Sequence, residues 1–440
     1  MQRANIDQVT RVLKWVLRLE PFAILGMLIV FWTPDPARVN SLVLLLPFLL
    51  LRLLVYRRIA PASPLNGLLI GLLALGVINV LAAPTTWGWW VLGRPVMGVL
   101  LAVSLADYVR RDGAPALESL LHATTILALL MGVISLLWSQ WTIKSVFFQD
   151  VIALLPPYPR WEFTQQLLGS GFNVNEIAGG LVWLAPLAAG LALAPVATPA
   201  QRVRRWTAAA AFSLLAFSLV LGQSRFALFG LIISLYGVII TLIPRGTWRL
   251  AAKCALLAFL IFEMLLFTGA INPVATTALA RDESSLVSRL YMWQAAASIV
   301  RDHPLTGIGM NRFRAGAVRA LYPVPGYETA VLPHAHNEWA QIGADFGVPG
   351  LIGFTALLGI SLAMLWRAWK GGQPVAIGIA AGLVGHAVYG LGDAITLFDR
   401  LIFIFWWLIG LTLAVWAAAA PADPAPASQR SKNVQRTMLG

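Results

Sequence analysis

Apolar residues in this chain do not alternate with polar ones; they run together. The stretch 42–51 is apolar on every face, and similar runs of about 20 residues recur along the whole length. A membrane β-barrel would show short segments alternating apolar and polar, so that architecture is excluded. The pattern predicts an all-α polytopic membrane protein with about twelve transmembrane helices, at 21–33, 41–56, 65–82, 89–109, 117–138, 176–194, 207–222, 226–243, 253–270, 348–366, 375–392 and 400–417. The first run is short and borrows residues from the amphipathic segment before it.

Composition agrees. Of 440 residues, 59% are hydrophobic and only 12% charged, where a soluble domain carries about a quarter. Mean hydropathy is +0.76. The single cysteine, Cys254, lies in an apolar run, which rules out disulfides and cysteine metal clusters. The polar, basic N-terminus lacks a small-residue cleavage site, so no cleavable signal peptide is expected.

Charge orients the chain. The net charge of +13 suggests anchoring by membrane lipids rather than nucleic acid. Cations cluster at Arg3, Arg11, Lys14 and Arg18, at Arg57 and Arg58, at Arg110 and Arg111, at Arg202, Arg204 and Arg205, at Arg245, Arg249 and Lys253, at Arg367 and Lys370, and at Arg430, Lys432 and Arg436. These loops share one side of the predicted topology, which puts both termini in the cytoplasm. The opposite side receives two long segments, about 139–175 and 271–347, and long loops on such a scaffold usually carry function. The expected organisation is thus spans one to nine over 1–270, a catalytic loop over 271–347, three last spans over 348–417, and a disordered basic tail over 418–440.

Several residues on that second side could do chemistry. His334 and His336 close the long loop, and histidine is the side chain best suited to take a proton near neutral pH. Asn337 fits the N-cap of a short helix ending near Gly347 and Pro349, with His336 at its entrance. A hydrogen-bonded structural histidine is the plainer reading. A zinc site would need further ligands, for which only Glu338 and Asp345 lie nearby. Gln223-Ser224-Arg225 sits in a tight hairpin at the hydrocarbon edge, where a guanidinium suits phosphate or snorkels to headgroups.

Loop 281–314 supplies Arg281, Arg289, Arg301, Arg312 and Arg314, with Arg94, Lys144 and Arg160 at the same level. That cation cluster runs against the usual charge bias and asks for an anionic ligand. Trp138, Trp141, Phe147, Phe148, Tyr158 and Trp161 suit either sugar stacking or an interfacial aromatic belt. Glu263, His386 and Asp393 are groups a proton-coupled transporter could use. No phosphate-cradling GxxxxGK[ST] loop is present, which removes ATP as an energy source.

His336-Asn337, Gln341 and Asp345-x-Gly347-x-x-Gly350 together resemble the H-N-x-x-x-Q…E-x-G-x-x-G pattern of the O-antigen ligase and polymerase family. Arg289…Trp293…Pro304-Leu-x-Gly307-Ile-Gly309-x-x-x-Phe313, Ser224-Arg225 and Asn173-Val174-Asn175 add to the likeness. These motifs cover about 170–350. Two positions depart from the pattern: Asp345 stands where Glu is usual, and Phe226 follows Arg225 where a small residue is commoner.

The resemblance implies a GT-C-like membrane glycosyltransferase of the bacterial inner membrane, with a partly helical periplasmic loop before its last three spans. It implies a donor, undecaprenyl-pyrophosphate-linked O-antigen, and an acceptor sugar hydroxyl on lipid A–core, without nucleotide sugar, ATP or other cofactor. Carried onto this sequence, His336 (or His334) is the general base and Arg225 and Arg289 hold the pyrophosphate. Asn337 orients His336 or its helix, and Arg312, Arg314, Arg94, Lys144 and Arg160 contact phosphates or core sugars. Arginines standing in for a divalent cation imply no metal. A polymerase or protein O-oligosaccharyltransferase, and a lipid-linked oligosaccharide flippase, are the competing readings. The mostly apolar cytoplasmic halves of the spans argue against the last.

Overall fold

The computed structural model describes residues 12–30, 43–85, 88–142, 148–155, 171–267, 275–327, 332–395, 397 and 399–419. Lys144, Arg160, Phe147, Tyr158, Trp161, the N-terminal Arg3 and Arg11 and the basic tail lie outside the described residues, as do the side chains of Glu263 and Arg281.

The chain is an all-α polytopic membrane protein. Its helices are α1 (Glu20–Val30), α2 (Leu46–Tyr56), α3 (Asn66–Ala82), α4 (Gly88–Asp112), α5 (Ala114–Trp138), α6 (Gln149–Ala153), α7 (Val174–Leu193), α8 (Pro199–Gly222), α9 (Arg225–Leu242), α10 (Thr247–Phe267), α11 (Ala275–Asp302), α12 (Gly316–Leu321), α13 (Glu338–Lys370), α14 (Val375–Tyr389) and α15 (Ile402–Ala419). Seven of these are long and apolar enough to cross a membrane. Each of the twelve expected spans overlaps one of these helices, but among the described residues only those seven meet the length and apolarity of a crossing. Among the described residues the only strands are β1 (Ser139–Gln140) and β2 (Phe172–Asn173), paired in parallel.

Local chemistry accounts for the ends that matter. Asn173 caps α7 by accepting from the Asn175 N–H, which explains the Asn-Val-Asn motif as a helix start. Thr198 and Gln201 form a reciprocal capping box on α8. Gln223, in a left-handed conformation at φ 49°, turns the chain so that α9 begins two residues later with Arg225.

Helices apolar on all sides belong in the interior, and α15 (IFIFWWLIGLTLAVWAAA) is buried along nearly its whole length beside α4. Around α7 the backbones come close because glycines face each other. A Cβ on Gly230 of α9 would lie 2.2 Å from the Gly385 carbonyl of α14, so a larger residue would push the two helices apart. That contact ties the Arg225 helix to α14 and thus to the chain that follows it.

The long segment before α13 has a small core of its own, in which Met292, Ala296 and Ile299 of α11 meet Phe313, Val318, Val324 and Leu332. It is fastened to the bundle by backbone. Gly347 (φ 70°) breaks α13, and there the Val348 N–H donates to the Pro304 carbonyl at 2.8 Å. The Ile308 and Gly309 N–H groups donate to the carbonyls of Ala344 and Asp345. A side chain at 347 would strike the Pro304 oxygen, 2.4 Å from where its Cβ would lie, so glycine is required on steric as well as conformational grounds. Asn79 of α3, fully buried, completes this clasp. Its amide donates to the carbonyls of Thr306 and Asp345 at 2.8 and 2.7 Å, and its oxygen accepts from the Met310 N–H at 2.7 Å. All of these lie at one end of the bundle, together with the hairpin at Arg225.

Candidate functional site

At that end the chain between Leu332 and α13 meets the linker between α14 and α15. Asn337 caps α13 by accepting from the Ala340 N–H and donates its amide to the Leu391 carbonyl at 2.9 Å. The expected helix does start there and does break at Gly347, after which it continues as the membrane-crossing part. With both amide ends engaged, Asn337 fixes the helix entrance against the linker. His336, the residue before it, adopts a left-handed backbone at φ 48°.

His336 Nδ1 lies 3.0 Å from Asp393 Oδ1. An ionised carboxylate only accepts, so Nδ1 carries the proton and Nε2 is left with its lone pair. Asp393 is buried, and burial pushes its pKa up; the hydrogen bond from His336, with help from the Arg289 charge and from either histidine when protonated, more than offsets this and holds it below the usual carboxylate range. Arg289 approaches from α11. One turn later on that helix, Trp293 donates its indole N–H to the His336 carbonyl at 3.3 Å, so the Arg-x-x-x-Trp spacing sets both contacts.

His334 is differently engaged. Its Nδ1 accepts from the His336 backbone N–H at 3.2 Å, and its ring stands edge-on to that of His336 at 4.4 Å. Burial lowers its pKa to about 4 and keeps it neutral. The peptide between the two histidines is held as well. The Ala335 N–H donates to Gln341 Oε1 at 2.9 Å, and Gln341 Nε2 donates to Asp345 Oδ2 at 3.0 Å. A buried relay therefore runs from Asn79 through Asp345 and Gln341 to the histidine loop.

The arginines distribute around this centre. Arg225 is the first residue of α9, and the ring of its neighbour Phe226 packs flat on Gly392, where a Cβ would lie 2.0 Å from it. The aromatic residue following Arg225 is thus a contact with the Asp393 linker. Arg94, buried in α4, sits over the Trp90 ring at 4.5 Å and shares a charge cluster with Asp399, Arg400, Arg314 and Glu176. Arg314 and Glu176 also act on His334. Arg400 pairs with Glu176 at 2.8 Å, donates to the Gly171 carbonyl and lies over Phe172 at 4.2 Å. Arg312 is apart from this group, in a cavity behind the Asp345 segment.

His334, His336, Arg289, Arg94 and Arg314 are therefore brought together, Asn337 orders their frame, and Arg225 joins through Phe226. Sequence reasoning set Asp393 among transporter groups and passed over Arg400 and Glu176. The signal was present in Gly392-Asp-Ala-Ile-Thr-Leu-Phe-Asp-Arg400, three charges in a short linker between two apolar spans. Glu338 and Asp345, considered as metal ligands, stand elsewhere: Glu338 lies near His386, and Asp345 bonds Gln341. It is Asp393 that joins the two histidines, their ligand atoms lying within 4.8 Å of one another, a set that could hold a divalent cation.

Residues 210–355 match the model of the family described as O-antigen ligase. The matched stretch is about a third of the chain, and over that stretch the chain is similar to this family. The match takes in Arg225, Arg289, Arg312, Arg314, His334, His336 and Asn337 and ends before Asp393. No curated protein matches the chain.

Proposed function

We propose that this protein is an O-antigen ligase of the bacterial inner membrane, acting at the periplasmic end of its bundle. It moves glycan from undecaprenyl-pyrophosphate to a sugar hydroxyl of lipid A–core. The observation that carries the reading is the His336–Asp393 pair beside Arg289; the reading sets it at the membrane's edge, where both amphiphiles would expose their reactive atoms.

The chemistry follows from the atoms. Nε2 of His336 accepts the proton of the acceptor hydroxyl as its oxygen attacks the anomeric carbon, help worth about 10²–10⁴-fold. The carbon–oxygen bond to the carrier breaks on the opposite face, so configuration inverts, and its electron pair leaves with the pyrophosphate. Arg225 and Arg289 stabilise the charge growing there more than they stabilise the bound donor. Asp393 holds the imidazole in the tautomer that leaves Nε2 free and steadies the imidazolium that forms. Arg94, Arg314, Lys144 and Arg160 are assigned to further phosphate or core-sugar contacts. His334, neutral and used by the backbone of His336, is a positioning residue rather than the base.

The test supplies purified protein with carrier-linked glycan and lipid A–core and looks for higher-mass lipopolysaccharide. A ladder with wild type, lost in His336→Ala and Arg225→Ala variants that remain folded, is expected. Product formed from carrier-linked glycan alone, with none on lipid A–core, would replace the ligase by a polymerase. A rate unchanged by chelator is expected; loss of activity restored by a divalent ion would turn the His334–His336–Asp393 cluster into a metal centre.

A further inference from the structure

Behind the Asp345 segment, a cavity of about 260 Å³ opens between the end of α3 and loop 303–322. It is smaller than the ~300–1,000 Å³ pockets that enclose drug-sized ligands, which suits a single sugar ring. Its walls are of two kinds. Ala83 and Val318 offer small apolar surface, while His303, Arg312 and Tyr322 offer polar groups. Arg312 spends one long hydrogen bond on the Ile308 carbonyl, at 3.4 Å, out of five available donors. Tyr322 is held by its hydroxyl donating to Asp302 Oδ2 at 3.2 Å. The positive-φ residues Gly307 and Gly309 let backbone form part of the wall.

Asn79 also borders the cavity, but its amide is consumed by Thr306, Asp345 and Met310, so it offers a ligand little. Recognition falls to the guanidinium of Arg312, whose planar fork matches a phosphate, and to the exposed imidazole of His303. Small apolar walls beside a cation complement a sugar's C–H face and an anionic substituent.

We infer that this cavity binds a phosphorylated sugar of the glycolipid acceptor, one that does not itself react. The identity of the acceptor rests on the ligase reading; the binding does not. A ligand there touches the same clasp that, through Asp345 and Gln341, holds Ala335 between the two histidines.

The experiment uses the full chain in detergent and titrates three probes: delipidated, phosphorylated core oligosaccharide, the same oligosaccharide after phosphatase treatment, and inorganic phosphate. Expected is binding of the first at least tenfold tighter than of the other two. Arg312→Gln and the cavity-filling Ala317→Trp should each weaken it about tenfold. Ala317 is exposed on a short helix, so its replacement should not disturb folding. Equal binding by both cavity variants and wild type would overturn the site, and equal binding of the dephosphorylated probe would overturn the anion. In transfer assays Arg312→Gln should raise the acceptor KM about tenfold with kcat and donor KM little changed; a raised donor KM instead would move the cavity to the donor. Absence of transfer by wild type would sink the ligase reading and leave the binding result standing.

Discussion

Two histidine–carboxylate pairs lie near each other at this end of the bundle, and they differ instructively. His336 meets Asp393 at 3.0 Å with the imidazole 25% exposed. His386 approaches Glu338 at 3.6 Å with both side chains about 95% buried, at 5% and 4% exposure. His386 is stacked on Trp183 at 3.7 Å, and its Nδ1 is bonded to the Gly179 carbonyl at 3.2 Å. Glu338 Oε2 accepts from the Ile395 N–H at 2.9 Å, and its own N–H donates to the Gly390 carbonyl. The buried pair joins α7, α13, α14 and the linker; the exposed one has a ring nitrogen that a substrate can reach. Similar residue types thus serve assembly in one place and, on the proposed reading, chemistry a few residues away, and access separates them.

The sharpest way to break this contrast is to exchange the losses. His336→Ala should lower transfer by about 10²–10⁴-fold while the unfolding midpoint of the purified protein holds. His386→Gln should keep the rate within about threefold while costing about 1–3 kcal/mol of stability, read by denaturant titration. A reversed pattern would interchange the two roles.

Next in size is Asp393→Asn, which substitutes an amide able to donate toward Nδ1 and favours the wrong tautomer. A kcat loss of about 10²-fold or more is expected, with KM values little changed. Gln341→Leu should follow. It leaves the buried Ala335 N–H unpaired, at about 1–3 kcal/mol, and takes one donor from Asp345, and kcat should fall as the histidine loop loosens.

The smallest effect is a pH dependence. His334 titrates near 4 when folded and near 6.5 when unfolded, so the unfolded chain gains a proton first as pH falls. Stability should therefore decline by about 2 kcal/mol between pH 7 and pH 5, and His334→Gln should flatten that slope. An unchanged slope would mean that His334 is not desolvated.

The fold was legible because hydrocarbon solubility is written in runs: each expected span overlaps a helix, and the caps at Asn173 and Asn337 are local chemistry. His336, Arg289 and Arg225 stood out in the sequence because cations and imidazoles on that expected side are chemically out of place. Asp393 was not, since its partnership with His336 spans 57 positions and depends on how α14 packs on α7 and α9. Arg400 and Glu176 likewise meet only across the assembled bundle. Phe226 looked like a departure from pattern, yet its ring packs against Gly392 in the Asp393 linker, where no side chain would fit.

The backbone clasp at Gly347 has one more consequence. Its hydrogen bonds hold the chain at two points, Pro304–Met310 and again Ala335–Val348, and so close a ring in the backbone. The imidazole of His336, just past Ala335 in the second of these anchors, is fixed by bonds that substitutions within the intervening stretch leave in place.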